Sequence, residues 1–162
     1  MNESVREIGG VNNKLLTIEQ IRLLIVNLSE PTRSLVQLLV STGLRVGELL
    51  ALRWGNVDLD SGLLRFTETV YDGHFDKPKT SRSVRVIPIA EANMEIFKAL
   101  RQEGMTADAL VFSNREGKPL DRRNLFSRNI RPVSKRIGLP ITYMHAVAAG
   151  ADDCVRRFRR VS

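Results

Sequence analysis

Cysteine, histidine and tryptophan are nearly missing from this 162-residue chain: Cys154, His74, His145 and Trp54 are the whole set. A lone thiol excludes an internal disulfide, and Cys154 reads most plainly as an unreactive side chain. With two widely separated histidines no metal-ligand spacing arises, so neither a metal nor another cofactor is expected. No apolar run approaches the roughly 18 residues of a membrane span, and the opening Met1 to Glu7 lacks the basic and apolar blocks of a signal peptide. These absences lead to the expectation of a cytoplasmic chain with no membrane partner. What is present is enough apolar residue, 43%, to build one core, with 27% charged residues spread among it.

Charge is unevenly placed. Residues 1–120 hold 15 Lys/Arg against 15 Asp/Glu, whereas residues 121–162 hold 10 against 3, so the formal charge of +7 belongs entirely to the last quarter. A concentrated positive surface attracts the phosphate backbone of nucleic acid by displacing counterions. A solvated basic face or an unstructured basic tail would show the same charge.

Residues 1–13, with Gly9-Gly10 and Asn12-Asn13, read as a lead-in. Thr17 and Gln20 form a capping-box pattern, and Ile18, Ile21, Leu24, Ile25 and Leu28 follow at helical spacing, which predicts a first helix ending near Leu28. Pro31 suits the first turn of a second helix, apolar nearly all round at Leu35, Val36, Leu38, Leu39 and Val40, and Gly43 is placed to end it. A third helix is expected from Arg45 to Leu52. The period then changes to two: Asp60-Ser61-Gly62 and Asp72-Gly73 mark turns, Leu64 and Phe66 alternate with polar neighbours, and Val84 and Val86 alternate with Ser83 and Arg85. Helical spacing resumes at Met94, Phe97 and Leu100. The apolar run Leu110-Val111-Phe112 leads into a turn at Glu116 to Pro119. From Asp121 a last helix places Phe126, Ile130, Val133 and Ile137 on one stripe, with a kink expected at Pro132. The fold class that follows is α+β, mainly α-helical with a small antiparallel β-sheet.

Arg45 draws attention because a cation opening a helix opposes its dipole, at a cost of roughly 0.3–1 kcal/mol. An ion pair with Glu48 one turn on would compensate. The functional alternative is a guanidinium gripping a phosphate with two parallel hydrogen bonds.

Three segments carry a resemblance. STGLRVGELLALRW, Ser41 to Trp54, resembles the first motif of tyrosine recombinases of the phage integrase type, whose Thr-Gly-x-Arg-x-x-Glu core holds a catalytic arginine. DKPKTSRSVRVIPI, Asp76 to Ile89, is similar to the family's β-hairpin with its lysine. LVFSNREGKPLDRRNLFSRNIRPVSKRIGL, Leu110 to Leu139, is similar to the segment that precedes the family's catalytic box. The three occur in the family's order. The resemblance implies an integrase-like catalytic domain over residues 14–145, followed by a divergent basic tail at 146–162.

It also implies roles. Arg45 would hold the non-bridging oxygens of a scissile DNA phosphate, and Lys79 would protonate the departing 5′-oxygen, its cationic neighbours Lys77 and Arg82 favouring proton release. Glu48 would orient Arg45 or support its helix. Arg82, Arg122, Arg123, Arg128, Lys135 and Arg136 would contact duplex DNA, the expected partner, with self-association of the chain on that DNA left open. His145 is the candidate for the histidine of the His-x-x-Arg box. Three positions on, however, stands Ala148, not arginine, and the only tyrosines, Tyr71 and Tyr143, both precede the place where the family's nucleophile falls. The expectation is therefore a catalytic domain incomplete at its C-terminal side and inactive alone. A non-catalytic DNA-binding or interaction module, or an inert gene remnant, stays open beside it.

Overall fold

The computed structural model describes residues 16–77, 84–139 and 141. Helix α1 spans Ile18–Asn27, and its start is the expected capping box: the Thr17 hydroxyl accepts from the Gln20 amide at 3.2 Å while the Gln20 side chain accepts from the Thr17 amide at 2.9 Å. Helix α2, Thr32–Thr42, follows after a short turn, in which Arg33 Nε donates to the Leu28 carbonyl at 2.7 Å and ties the two helices together. Gly43 ends α2 in the left-handed region at φ 66°, its N–H donating to the Leu39 carbonyl. Leu35, Val36, Leu38 and Leu39 have no exposed surface, so the apolar girth of α2 reflects a helix at the centre of the molecule.

Helix α3 is shorter than its sequence suggests, Val46–Leu50, with Arg45 at the cap in an extended conformation, φ −71° and ψ 142°. Beyond it a 3-10 turn at Trp54–Asn56 leads to strands β1, Val57–Asp58, and β2, Leu63–Phe66. At the turn between them Asp58 accepts from the amides of Ser61 and Asp60, and the Ser61 hydroxyl and amide hold its carboxyl below the usual range. Strands β3, Thr69–Tyr71, and β4, His74–Asp76, form a separate hairpin, and β5, Arg85–Pro88, pairs antiparallel with β2 to complete a sheet of order β1-β2-β5.

The register of β5 decides which face each of its residues takes, a point that alternation alone leaves open. Phe66 faces Arg85 and Leu64 faces Ile87, so Arg85 and Ile87 take the side of the buried Leu64 and Phe66, while Val86 is 49% exposed. Strand alternation is blind to a one-residue change of phase, which exchanges the two faces. Arg85, itself half exposed, takes the Phe66 side, where its guanidinium lies 5.9 Å from the ring centroid and meets a carboxylate described below.

Helix α4, Glu91–Leu100, packs Phe97 edge-on to Trp54 at 6.4 Å, and its buried Asn93 accepts from the Ser41 hydroxyl of α2 at 2.9 Å. The segment 110–112 returns beside Arg53, with the Val111 amide bonded to the Leu52 carbonyl at 2.8 Å. The last helical stretch is α5, Arg122–Asn124, then a π-helical turn, Leu125–Ile130, then α6, Arg131–Arg136. The irregularity expected at Pro132 takes the form of this wide turn just before it, where a missing proline N–H costs the ladder a bond. The wide turn also moves the buried stripe. Leu125, Ile130 and Ser134 are buried, at spacings of five and four, while Phe126, Val133 and Ile137 are only partly covered. Among the described residues no helix is long and apolar enough to cross a membrane.

Candidate functional site

Arg45 stands where α2 has just ended at Gly43 and α3 is about to begin, so its backbone is fixed from both sides. The Glu48 carboxylate accepts from the Arg45 amide at 3.0 Å, and the same oxygen accepts from Arg85 Nη2 at 3.0 Å. The expected side-chain ion pair of Arg45 with Glu48 therefore does not form: Glu48 caps the helix and pairs with Arg85 instead. Among the described residues no carboxylate pairs with the exposed Arg45 guanidinium, which remains available for an anion.

The Arg45 side borders a cleft of about 530 Å³. Its base is made by Gly43, Val46, Gly47 and Leu50, and its walls by the β3–β4 hairpin and the start of α5. Gly47 lets the hairpin approach: a Cβ there would stand 2.6 Å from Thr69 Oγ1 and 2.7 Å from the Val70 carbonyl oxygen, closer than any side chain permits. Two contacts fasten the hairpin tip to α5. The Arg122 guanidinium carbon lies 4.9 Å from the Tyr71 ring centroid, and Arg123 pairs with Asp72 at 3.5 Å. Asp121 caps α5, accepting from the Asn124 amide at 2.7 Å.

Of the residues singled out from sequence, the structure brings Arg45 and Arg122 to one cleft and sets Arg123 at its margin. Arg128, Arg131, Lys135 and Arg136 are exposed along the same helical stretch. Lys79, Arg82 and His145 lie outside the described residues, as do Tyr143 and the segment 142–162. Sequence reasoning missed Arg85 as the partner of Glu48 and Tyr71 as a wall of the cleft. The only sequence signal for Arg85 was its place in the β5 alternation, and nothing local could have linked Tyr71 to Arg122. Among the described residues no cluster of three or more His, Cys, Asp or Glu could hold a metal ion.

An α+β domain with an arginine-lined cleft at a helix cap, a small antiparallel sheet and a basic final helix has close parallels. The phage integrase family model matches residues 14–146, and the chain belongs to that family. It is 28% identical over 141 residues to a tyrosine recombinase XerC-like protein of Caldanaerobacter subterraneus subsp. tengcongensis, covering 71% of this chain and 36% of that protein. To the tyrosine recombinase XerC of Xylella fastidiosa it is 36% identical over 108 residues, covering 66% of this chain and 33% of that protein. The chain thus spans about a third of the curated relatives it matches. Among solved structures, the Tn1549 transposon integrase (residues 82–397) in complex with circular intermediate DNA superposes with a TM-score of 0.71 at 21% identity, over 88% of this chain and 54% of that one. XerA recombinase gives 0.66 at 23%, over 88% and 50%. At these identities the structural likeness speaks to the fold.

Proposed function

We propose that this chain is the DNA-gripping part of a site-specific recombinase's catalytic domain, working in the cytoplasm on duplex DNA and unable to cut it alone. The observation that carries the reading is Arg45, fixed at its backbone by Glu48 yet left without a carboxylate partner among the described residues, at a cleft that the start of the cation-rich last helical stretch also lines. Phosphate is the anion that such a site suits, because a planar guanidinium can donate two parallel hydrogen bonds to it. Arg123, Arg128, Arg131, Lys135 and Arg136 then add a sequence-independent attraction for the backbone on either side.

The complete reaction of such a domain forms a bond from a tyrosine oxygen to phosphorus and breaks the bond from phosphorus to the 5′-oxygen, which takes up a proton. Arg45 would neutralise charge on the non-bridging oxygens, and Lys79 would give the proton. Support for Lys79 comes from the hairpin motif of Asp76 to Ile89 that carries it, whose Arg85 ties the start of β5 to Glu48. His145 is proposed for the neighbouring box position. What counts against cleavage by this chain is chemical: Ala148 stands where the second phosphate-holding arginine would. The same fact supports a second reading, a DNA-binding module that has lost its chemistry.

Fluorescence anisotropy with mixed-sequence duplexes tests the common element. Weak, sequence-tolerant binding is expected, with log affinity falling by roughly 0.9 per phosphate contact for each unit of log salt. Binding that ignores salt, or that is undetectable at low salt, would overturn the proposal.

A further inference from the structure

We infer that Arg45 and Arg122 grip one and the same phosphate group, and that Tyr71 holds Arg122 in position for it. The inference rests on the DNA-binding reading and narrows it to a two-arginine site, with a cation from the start of α5 that family resemblance does not assign to the scissile position.

Both arginines line the one cleft, whose volume of about 530 Å³ lies in the range of small-ligand sites. Its lining is apolar or without side chain at Val46, Leu50, Val70 and Gly47, so charges facing it are less screened than on open surface. Two carboxylates, Asp72 and Asp121, also line it and would oppose an anion. Each is engaged elsewhere: Asp72 pairs with Arg123, and Asp121 accepts from the Asn124 amide. Among the described residues that leaves Arg45 and Arg122 as the lining cations with no carboxylate partner. The Tyr71 contact restrains Arg122 without consuming an N–H donor, since a ring face attracts the cation electrostatically. A long side chain held this way loses less freedom when it binds. Gly47 and the pairing of β3 with β4 fix the backbone that carries Tyr71, so the ring that meets Arg122 belongs to the same hairpin that packs on the Arg45 helix.

The test is a double-mutant cycle on duplex affinity at fixed low salt, beside melting temperatures in inorganic phosphate against chloride at equal ionic strength. Arg45→Ala and Arg122→Ala are each expected to weaken duplex binding roughly tenfold, and the double variant to fall far short of the hundredfold product, since one arginine alone holds the phosphate poorly. Phosphate is expected to raise the wild-type melting temperature and to lose that effect in either single variant. Tyr71→Leu is expected to mimic Arg122→Ala, and Tyr71→Phe to restore the wild-type behaviour. Additive losses, or phosphate stabilisation indifferent to both arginines, would show separate contacts and overturn the inference. If the wild type binds no duplex yet phosphate stabilises it through both arginines, the DNA reading fails and the two-arginine site stands.

Discussion

Arg85 reaches back 37 positions to Glu48, and the 3.0 Å bond between them joins the edge strand of the sheet to the helix that Arg45 caps. The same carboxylate oxygen receives the Arg45 amide, so one acidic side chain fixes both the backbone of Arg45 and the start of β5. Glu48 therefore acts on Arg45 through the main chain.

Glu48→Ala is expected to cost about 1–2 kcal/mol in chemical denaturation, the range of a lost helix cap, because the Arg45 amide is left without its acceptor. Arg85→Ala is expected to cost less, and a double-mutant cycle to give a coupling under about 1 kcal/mol, since Arg85 is half exposed. A coupling of several kcal/mol would mean that the pair is far drier than the structure has it.

Gly47→Ala is expected to destabilise the chain by roughly 1–3 kcal/mol, because the new methyl group has no room between α3 and β3. Adding Thr69→Ala would remove the Oγ1 clash and leave the one with the Val70 carbonyl, so recovery is expected to be partial. Full recovery in a thermal melt would show that the backbone yields more easily than its packing implies.

No covalent adduct is expected when the chain meets a nicked suicide duplex and the products are run on a denaturing gel. Tyr71 lies in the cleft with Arg45, yet among the described residues no base hydrogen-bonds its hydroxyl. A slow-migrating band abolished by Tyr71→Phe or Tyr143→Phe would reverse this conclusion.

Charge removal along the final helix separates positioning from simple attraction. Replacing Arg128, Lys135 and Arg136 together by Gln is expected to flatten the salt dependence of duplex binding by up to about three contacts and to weaken all sequences alike. The melting temperature should hold, because all three side chains are exposed. Loss of affinity for one sequence only would assign them to base reading.

Local rules were enough for much of this protein. The Thr17 and Gln20 cap, the stop at Gly43, the turns at Asp60 to Gly62 and Asp72-Gly73, and the α+β class all follow from interactions between near neighbours, which sequence spacing encodes directly. The place of Arg45 at the start of a helix and the basic character of the last helix were legible for the same reason, one from spacing, the other from composition. What sequence left open depends on contacts between distant segments. Which face Arg85 takes is fixed by register with Phe66 and by Glu48, and which face the last helix buries is fixed by a π-helical turn that a regular 3.6-residue period cannot anticipate. Tyr71 and Arg122 meet only because Gly47 lets a hairpin lie against α3 and α5 starts beside it, a juxtaposition that no local pattern contains and that packing alone decides.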